Sequence, residues 1–144
     1  MNLFYSKKLS KINHELSIRE SNHCLSVLRK NINDNIYITD GEGIIYKTKI
    51  KDIKQNQIII CDDLIVSSKE KKKTNIHIAI APTKNRIRFE WFLEKATEIG
   101  IDTISPIFCN NSERKKINQE RCEKIIISAM KQSFNSFLPK LNQP

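Results

Sequence analysis

Lys84 and Arg86 follow an apolar run, Asn75-Ile76-His77-Ile78-Ala79-Ile80-Ala81, that Pro82 brings to an end. Such a run reads as a strand, and in open α/β sheets ligands gather outside the carboxyl ends of the strands. Two cations at that edge suit an anionic ligand, phosphate above all. Arg86 also stands four residues before Glu90, so a pair along one helix face is the rival use of its charge. Arg29-Lys30 makes a second basic point, and guanidinium forks match phosphate oxygens. His23, upstream of it, reads equally well as a phosphate contact or as an ordinary packing or surface group. Trp91 offers a ring for stacking, although a large aromatic at the start of a helix reads first as core or subunit-interface material.

Other chemistries find little support. Cys24, Cys61, Cys109 and Cys122 form no Cys-x-x-Cys pair, and His14, His23 and His77 complete no zinc-ligand spacing. The expectation is four reduced, mostly buried thiols and no metal. The glycines number 3 (Gly41, Gly43 and Gly100) and fall where turns need them, so no dinucleotide or P-loop motif exists. Asp62-Asp63 reads as a solvated turn, with acid–base work a weaker rival.

The elements that must position these residues change character midway. Asn35–Thr39 alternates, Asp40-Gly41-Glu42-Gly43 is hairpin chemistry, and Ile44–Ile50 and Gln57–Cys61 resume as strands around the turn Lys54-Gln55-Asn56. Ser21–Lys30 reads as one short helix or turn. Several short strands with polar turns predict a small barrel. Ser67–Lys73 is charged and reads as a linker, either a plain solvated loop or a basic patch. Beyond it a strand over 75–81 leads to a helix capped by Asn85, with Phe89, Phe92, Leu93, Ala96 and Ile99 at helical spacing and Gly100 at its end. A strand from Ile101 to Phe108, broken by Pro106, and a polar loop over 110–116 follow. A second helix from Asn118 presents Cys122, Ile125, Ile126, Ala129 and Met130 on one face, and Leu138–Leu141 is extended. This is the grammar of a parallel sheet. So few strands predict exposed apolar groups at Ile76, Ile78, Ile80, Phe92 and Ile126.

The chain has 144 residues, 39% hydrophobic and 28% charged, enough apolar content for folded domains. Its net charge of +9 is shared between residues 1–73 (+5) and 74–144 (+4). A spread positive field attracts a phosphate backbone without choosing a sequence, although a Lys-, Asn- and Ile-heavy composition accounts for it too. No apolar run approaches a membrane span and the N-terminus lacks a signal-peptide core, so the default residence is cytoplasmic.

Two stretches are specific. One is His23-Cys24-Leu25-Ser26-Val27-Leu28-Arg29 with Asp34 and Asp40-Gly41-Glu42-Gly43. The other is Ala81-Pro82-Thr83-Lys84-Asn85-Arg86 running into Glu90-Trp91 and Lys95-Ala96-Thr97-Glu98-Ile99-Gly100, followed by Ser128-Ala129-Met130-Lys131-Gln132-Ser133 and Pro139. Together they resemble the ribosomal RNA small subunit methyltransferase E family of the SPOUT superfamily, over nearly the whole chain. The resemblance implies an α+β and α/β architecture: a PUA-like RNA-binding β-barrel over 1–72, then the first, incomplete part of a SPOUT trefoil-knot domain over 73–144. It implies methyl transfer from S-adenosylmethionine to N3 of a uridine in 16S rRNA, by a homodimer acting on the small ribosomal subunit, with no DNA or membrane partner. The family's donor-binding loops lie beyond the position of Pro139, so no cofactor-binding residue is expected here. N3 of uracil must lose a proton as the methyl arrives, which makes Arg86 and Arg114 the local candidates for stabilising the developing charge. His23, Arg29, Lys30, Lys84 and Arg86 are the expected RNA contacts. The pattern departs at Cys24, Asn33 and Asn111, where the family shows His, Gly and Arg. The alternatives are a non-catalytic rRNA-binding module or a decayed product without function.

Overall fold

A computed structural model of the chain describes residues 2–7, 15–61, 65–68 and 74–144. It divides into two units, Met1–Glu70 and Lys71–Pro144. Of the expected linker, Ser67 and Ser68 belong to a strand, and residues 69–73 lie outside the described residues, as do His14, Asp62 and Asp63.

The first unit comprises β1 (Leu3–Tyr5), α1 (Ile18–Asn22) running into a π-helical turn (His23–Val27), β2 (Asn35–Thr39), β3 (Ile44–Lys54), β4 (Gln57–Ile60) and β5 (Ile65–Ser68). The sheet order is β1-β2-β3-β4, with β5 also on β3. β1 runs parallel to β2, and the other pairings are antiparallel. β3 organises the sheet. A bulge between Ile50 and Asp52 bends it, so its first part pairs with β2 and β5 and its last part with β4. The result is a half-barrel. Among the described residues no strand pairing closes the ring that the sequence predicts.

The inner face packs Ile36, Ile38, Ile50, Ile58 and Ile60 against Phe4, Leu16 and Cys24. Ser17 caps α1, its Oγ accepting from the Glu20 N–H at 3.3 Å. Ser21 is fully buried, and its hydroxyl accepts the Ile58 N–H at 3.0 Å, tying α1 to β4. Two turns match their sequence chemistry. Asp40 Oδ1 accepts from the Glu42 N–H at 2.7 Å, and Gln55 and Asn56 (φ 47° and 62°) close the β3–β4 hairpin. Asn33, standing where the resembled family has glycine, keeps a left-handed φ of 72° and donates its N–H to the Ile50 carbonyl at 2.8 Å. Asparagine tolerates that conformation better than other non-glycine residues.

The second unit runs β6 (His77–Ile80), α2 (Arg86–Ile99), β7 (Thr103–Pro106), α3 (Gln119–Gln132) and β8 (Lys140–Leu141). The three strands are parallel in the order β6-β7-β8. Asn85 and Asn118 cap the helices through their side-chain oxygens, and Gly100 ends α2 at φ 89°. Pro106 is tolerated because β8 stops pairing at Ile104, one step short of where the missing N–H would point.

Phe89, Leu93, Ala96, Ile101, Ile104, Cys122 and Ile126 form one core, with Ile78, Ile80 and Phe92 packed at its margin. One expectation fails here. Ile99 is 72% exposed, because the buried stripe of α2 turns instead toward Thr97, whose hydroxyl is satisfied by the Leu93 carbonyl at 2.7 Å. Trp91 is 61% exposed, on the side of α2 away from that stripe, so of its two readings the core one is excluded. Of the apolar groups expected at the surface, Ile76 is exposed and Ile126 is buried on the core-facing side of α3. The sheet's other face is polar. Ser105 Oγ lies 2.8 Å from His77 Nε2 and accepts from Asn142 Nδ2 at 2.8 Å.

Leu93→Ala or Ile104→Ala should destabilise the second unit by about 2–5 kcal/mol, measured by urea unfolding under far-ultraviolet circular dichroism. The four thiols are free; Cys24 and Cys122 are buried and Cys109 is exposed. Burial pushes the Cys24 thiol up to about 11. A thiol reagent at mildly alkaline pH should therefore label Cys109 first and reach Cys24 only on unfolding.

Candidate functional site

The register Ile80↔Pro106 sets the carboxyl ends of β6 and β7 side by side, and the Ile107 N–H continues the pairing to the Ile80 carbonyl at 3.0 Å. The loop entering α2 and the loop after β7 therefore rise from neighbouring points. Arg114 joins them: its Nε donates to the Thr83 carbonyl at 3.1 Å and its Nη2 to the Lys84 carbonyl at 2.7 Å. Lys84 Nζ reaches back to Glu113 at 3.3 Å. Lys115 Nζ holds its own loop, donating to the carbonyls of Cys109 and Asn110 at 2.6 and 3.2 Å. Ser112 Oγ accepts the Cys109 N–H at 3.0 Å. Between them lies an open basin of about 620 Å³ lined by Lys84, Glu113, Arg114, Lys115 and Lys116. Its excess of cations fits a phosphate-bearing ligand.

Beside the basin, Arg86 Nε pairs with Glu90 at 3.1 Å, the helix pair that sequence spacing allowed. Glu90 also takes the fork of Arg121, with Nε at 2.5 Å and Nη2 at 3.0 Å. This bidentate pair ties α2 to α3. The Arg121 hydrogen bond holds the Glu90 carboxyl below its ordinary value, and the charges of Arg121, Arg86 and Arg114 add to it, against a smaller opposing effect of burial.

Lys84 and Arg114 are thus brought together at one edge, and Arg86 and Arg114 line the crevice next to it. Arg114 already serves two carbonyls, so it holds the loop as well as carrying charge. Asn111 is exposed in the loop that Arg114 anchors. In the first unit, His23 is exposed with its ring edge on Phe4 at 6.2 Å, so it has both a packing contact and an open side. Arg29 is exposed at φ 51° and Lys30 is half-buried, its N–H donating to the Cys24 carbonyl at 3.2 Å. The Glu90–Arg121 pair had no local signal in the sequence, and neither had the reach of Arg114 to Thr83 and Lys84.

The model of the RNA methyltransferase domain matches residues 69–144, and that of the RNA methyltransferase PUA domain matches residues 19–61. The chain belongs to the RNA methyltransferase family. Within it, the chain is similar to the ribosomal RNA small subunit methyltransferase E of Buchnera aphidicola, 31% identical over 135 residues, covering 90% of this chain and 53% of the relative. It is similar to the solved probable rRNA-methyltransferase from Porphyromonas gingivalis, 36% identical with a TM-score of 0.89, covering 99% of this chain and 60% of that one. The ribosomal RNA small subunit methyltransferase E from Neisseria gonorrhoeae bound to S-adenosyl methionine shares the fold, with a TM-score of 0.83 at 21% identity, covering 99% of this chain and 62% of that one. The chain spans about half the length of the curated relatives it matches. These findings bear out the sequence resemblance to the methyltransferase E proteins. Among the described residues no helix of this methyltransferase-family chain is long and apolar enough to cross a membrane.

Because the folded state depresses the Glu90 carboxyl, its contribution is full above the ordinary value of 4.5 and is lost as pH falls through the lower folded-state value. Glu90→Gln should therefore melt below wild type near neutral pH, with the gap closing in acid, as read by thermal melts across a pH series.

Proposed function

We propose that this chain forms the rRNA-recognition unit and the opening part of the catalytic domain of an rRNA methyltransferase. The reaction is transfer of methyl from S-adenosylmethionine to N3 of a uridine in small-subunit (16S) rRNA, by a homodimer in the cytoplasm. The observation that carries the reading is the match of RNA-methyltransferase models to both units. The donor is supported by the Neisseria protein of the same fold, which is bound to it. We read residues 1–72 as a PUA-like barrel domain and 73–144 as the first part of a SPOUT trefoil-knot fold.

The basin is walled by cations and one carboxylate, a lining that suits a phosphate better than an adenosine. We therefore assign no donor contact to this chain and derive no step through it. The chain's own residues do two things. Lys84 and Arg86, with His23, Arg29 and Lys30 on the first unit, bind phosphate. Arg86 and Arg114 stabilise the negative oxygen that grows on uracil as N3 gives up its proton. Arg86 is the freer of the two to turn toward substrate, since one carboxylate holds it.

Arg86→Ala should lower kcat for methyl transfer to small-subunit rRNA about 10²-fold with little change in donor KM. The assay counts N3-methyluridine by mass spectrometry of digested rRNA. A loss confined to KM for RNA would remove the charge-stabilising role and leave only binding. A non-catalytic rRNA-binding module is the second reading. Tight, salt-sensitive rRNA binding together with no heat on titration with S-adenosylmethionine would favour it.

A further inference from the structure

Arg86 and Arg121 share the Glu90 carboxylate unequally. Arg86 Nε at 3.1 Å and Arg121 Nε at 2.5 Å both donate to the same oxygen, Oε1. Oε2 accepts from Arg121 Nη2 at 3.0 Å. Arg121 therefore satisfies both oxygens, and the longer Arg86 bond falls on an oxygen already in use. Of the cations that hold the Glu90 carboxyl down, Arg121 does most and Arg86 less. The Glu90 side chain is 15% exposed, whereas those of Arg86 and Arg121 are 59% and 49% exposed. A carboxylate so poorly hydrated is costly to leave without a cation. Were Arg121 absent, that cation would be Arg86, held to its own helix as an i,i+4 pair. With Arg121 in place, Arg86 leaves at small cost, because both carboxylate oxygens keep a donor. Arg86 also has somewhere to go. It is the first residue of α2 and lines the crevice beside the basin that Lys84 and Arg114 share.

We propose that Arg121 is a positioning residue for Arg86: by occupying Glu90 with its fork, it frees Arg86 to exchange that carboxylate for RNA. The proposal rests on the reading that Arg86 meets rRNA. Arg86 then has a resting partner and a working partner. At rest, Glu90 keeps the guanidinium beside the basin and limits the freedom lost on binding. When a phosphate or a uracil oxygen arrives, Arg86 transfers to it, and Glu90 stays neutralised by Arg121. Arg114 is not available for the same exchange, since its Nε and Nη2 hold the Thr83 and Lys84 carbonyls. Nor is Arg121 itself the RNA contact, because the edge of its fork that would grip a phosphate is spent on Glu90.

The test is fluorescence anisotropy of the full chain with a labelled oligouridylate across a salt series, with circular dichroism to check folding. Arg121→Gln should weaken binding about tenfold and make the log–log salt slope shallower by about 0.7, the share of one phosphate contact. In an Arg86→Ala background the same substitution should cost less than about twofold and leave the slope unchanged. Glu90→Gln/Arg121→Gln should return to within about twofold of wild type, since a neutral amide no longer retains Arg86. The unaltered chain gives a second reading that no misfolded variant can spoil. In nuclear magnetic resonance of the arginine Nε–H groups, saturating oligouridylate should shift the Arg86 signal and leave that of Arg121 in place. An equal cost of Arg121→Gln with and without Arg86, or an Arg121 signal that moves with RNA, makes Arg121 a direct contact and refutes the proposal. A Glu90→Gln/Arg121→Gln variant as weak as Arg121→Gln reduces Arg121 to a brace between helices, and Arg121→Gln binding like wild type removes its role altogether. In each of these cases an effect of Arg86→Ala leaves the proposed function standing. If Arg86→Ala binds like wild type, or the wild type has no RNA affinity, the Arg86 contact falls and this inference with it.

Discussion

One carboxylate, that of Glu90, governs the arrangement of the second unit's charged edge. It accepts from Arg86 on its own helix and from the fork of Arg121 on the next. Without it, three guanidinium groups (Arg86, Arg114 and Arg121) would crowd one crevice with little to balance them. With it, α2 and α3 are fixed to each other at the ends nearest the basin, while Phe89, Leu93 and Ile126 fix them to the sheet. The loops that bear Lys84 and Arg114 start from those helix ends and from β6 and β7. Their geometry is inherited from a packed core and one bidentate ion pair.

The two units use positive charge differently. In the second, cations are cross-braced by carbonyls and carboxylates, and the basin has a defined wall. In the first, Arg29, Lys47 and Lys49 stand on a turn and an open sheet face with their charge directed to solvent. A braced cation costs less entropy to order around a ligand, whereas an unbraced one contributes mainly long-range attraction.

Much of the fold was legible because its signals are local. Asn85, Gly100 and Asn118 mark helix ends through side-chain or backbone chemistry that needs no distant partner, and Asp40 and Gln55-Asn56 do the same for turns. β1 and β5 escaped. Leu3–Tyr5 and Ile65–Ser68 are too short to show a period, and they are strands because β2 and β3 offer them edges. The place of Ile99 was misread for a related reason: a satisfied Thr97 took the inward position that an apolar count assigns to isoleucine. At the candidate site, Lys84 and Arg86 were found from the strand–proline–cap grammar. The reach of Arg114 across 30 residues to Lys84, and of Arg121 across 31 to Glu90, depends on how the loops and helices meet and leaves no trace in local spacing.

The seam of His77, Ser105 and Asn142 has a consequence for how the chain is born. Parallel sheets are usually oily on both sides, yet this one turns hydroxyl, imidazole and amide groups outward on the side away from α2 and α3. During synthesis β6 and β7 leave the ribosome before β8 does, and nascent sheets that expose bare hydrocarbon invite clumping. Hydration of that side lets the early strands wait in water for the rest of the polypeptide.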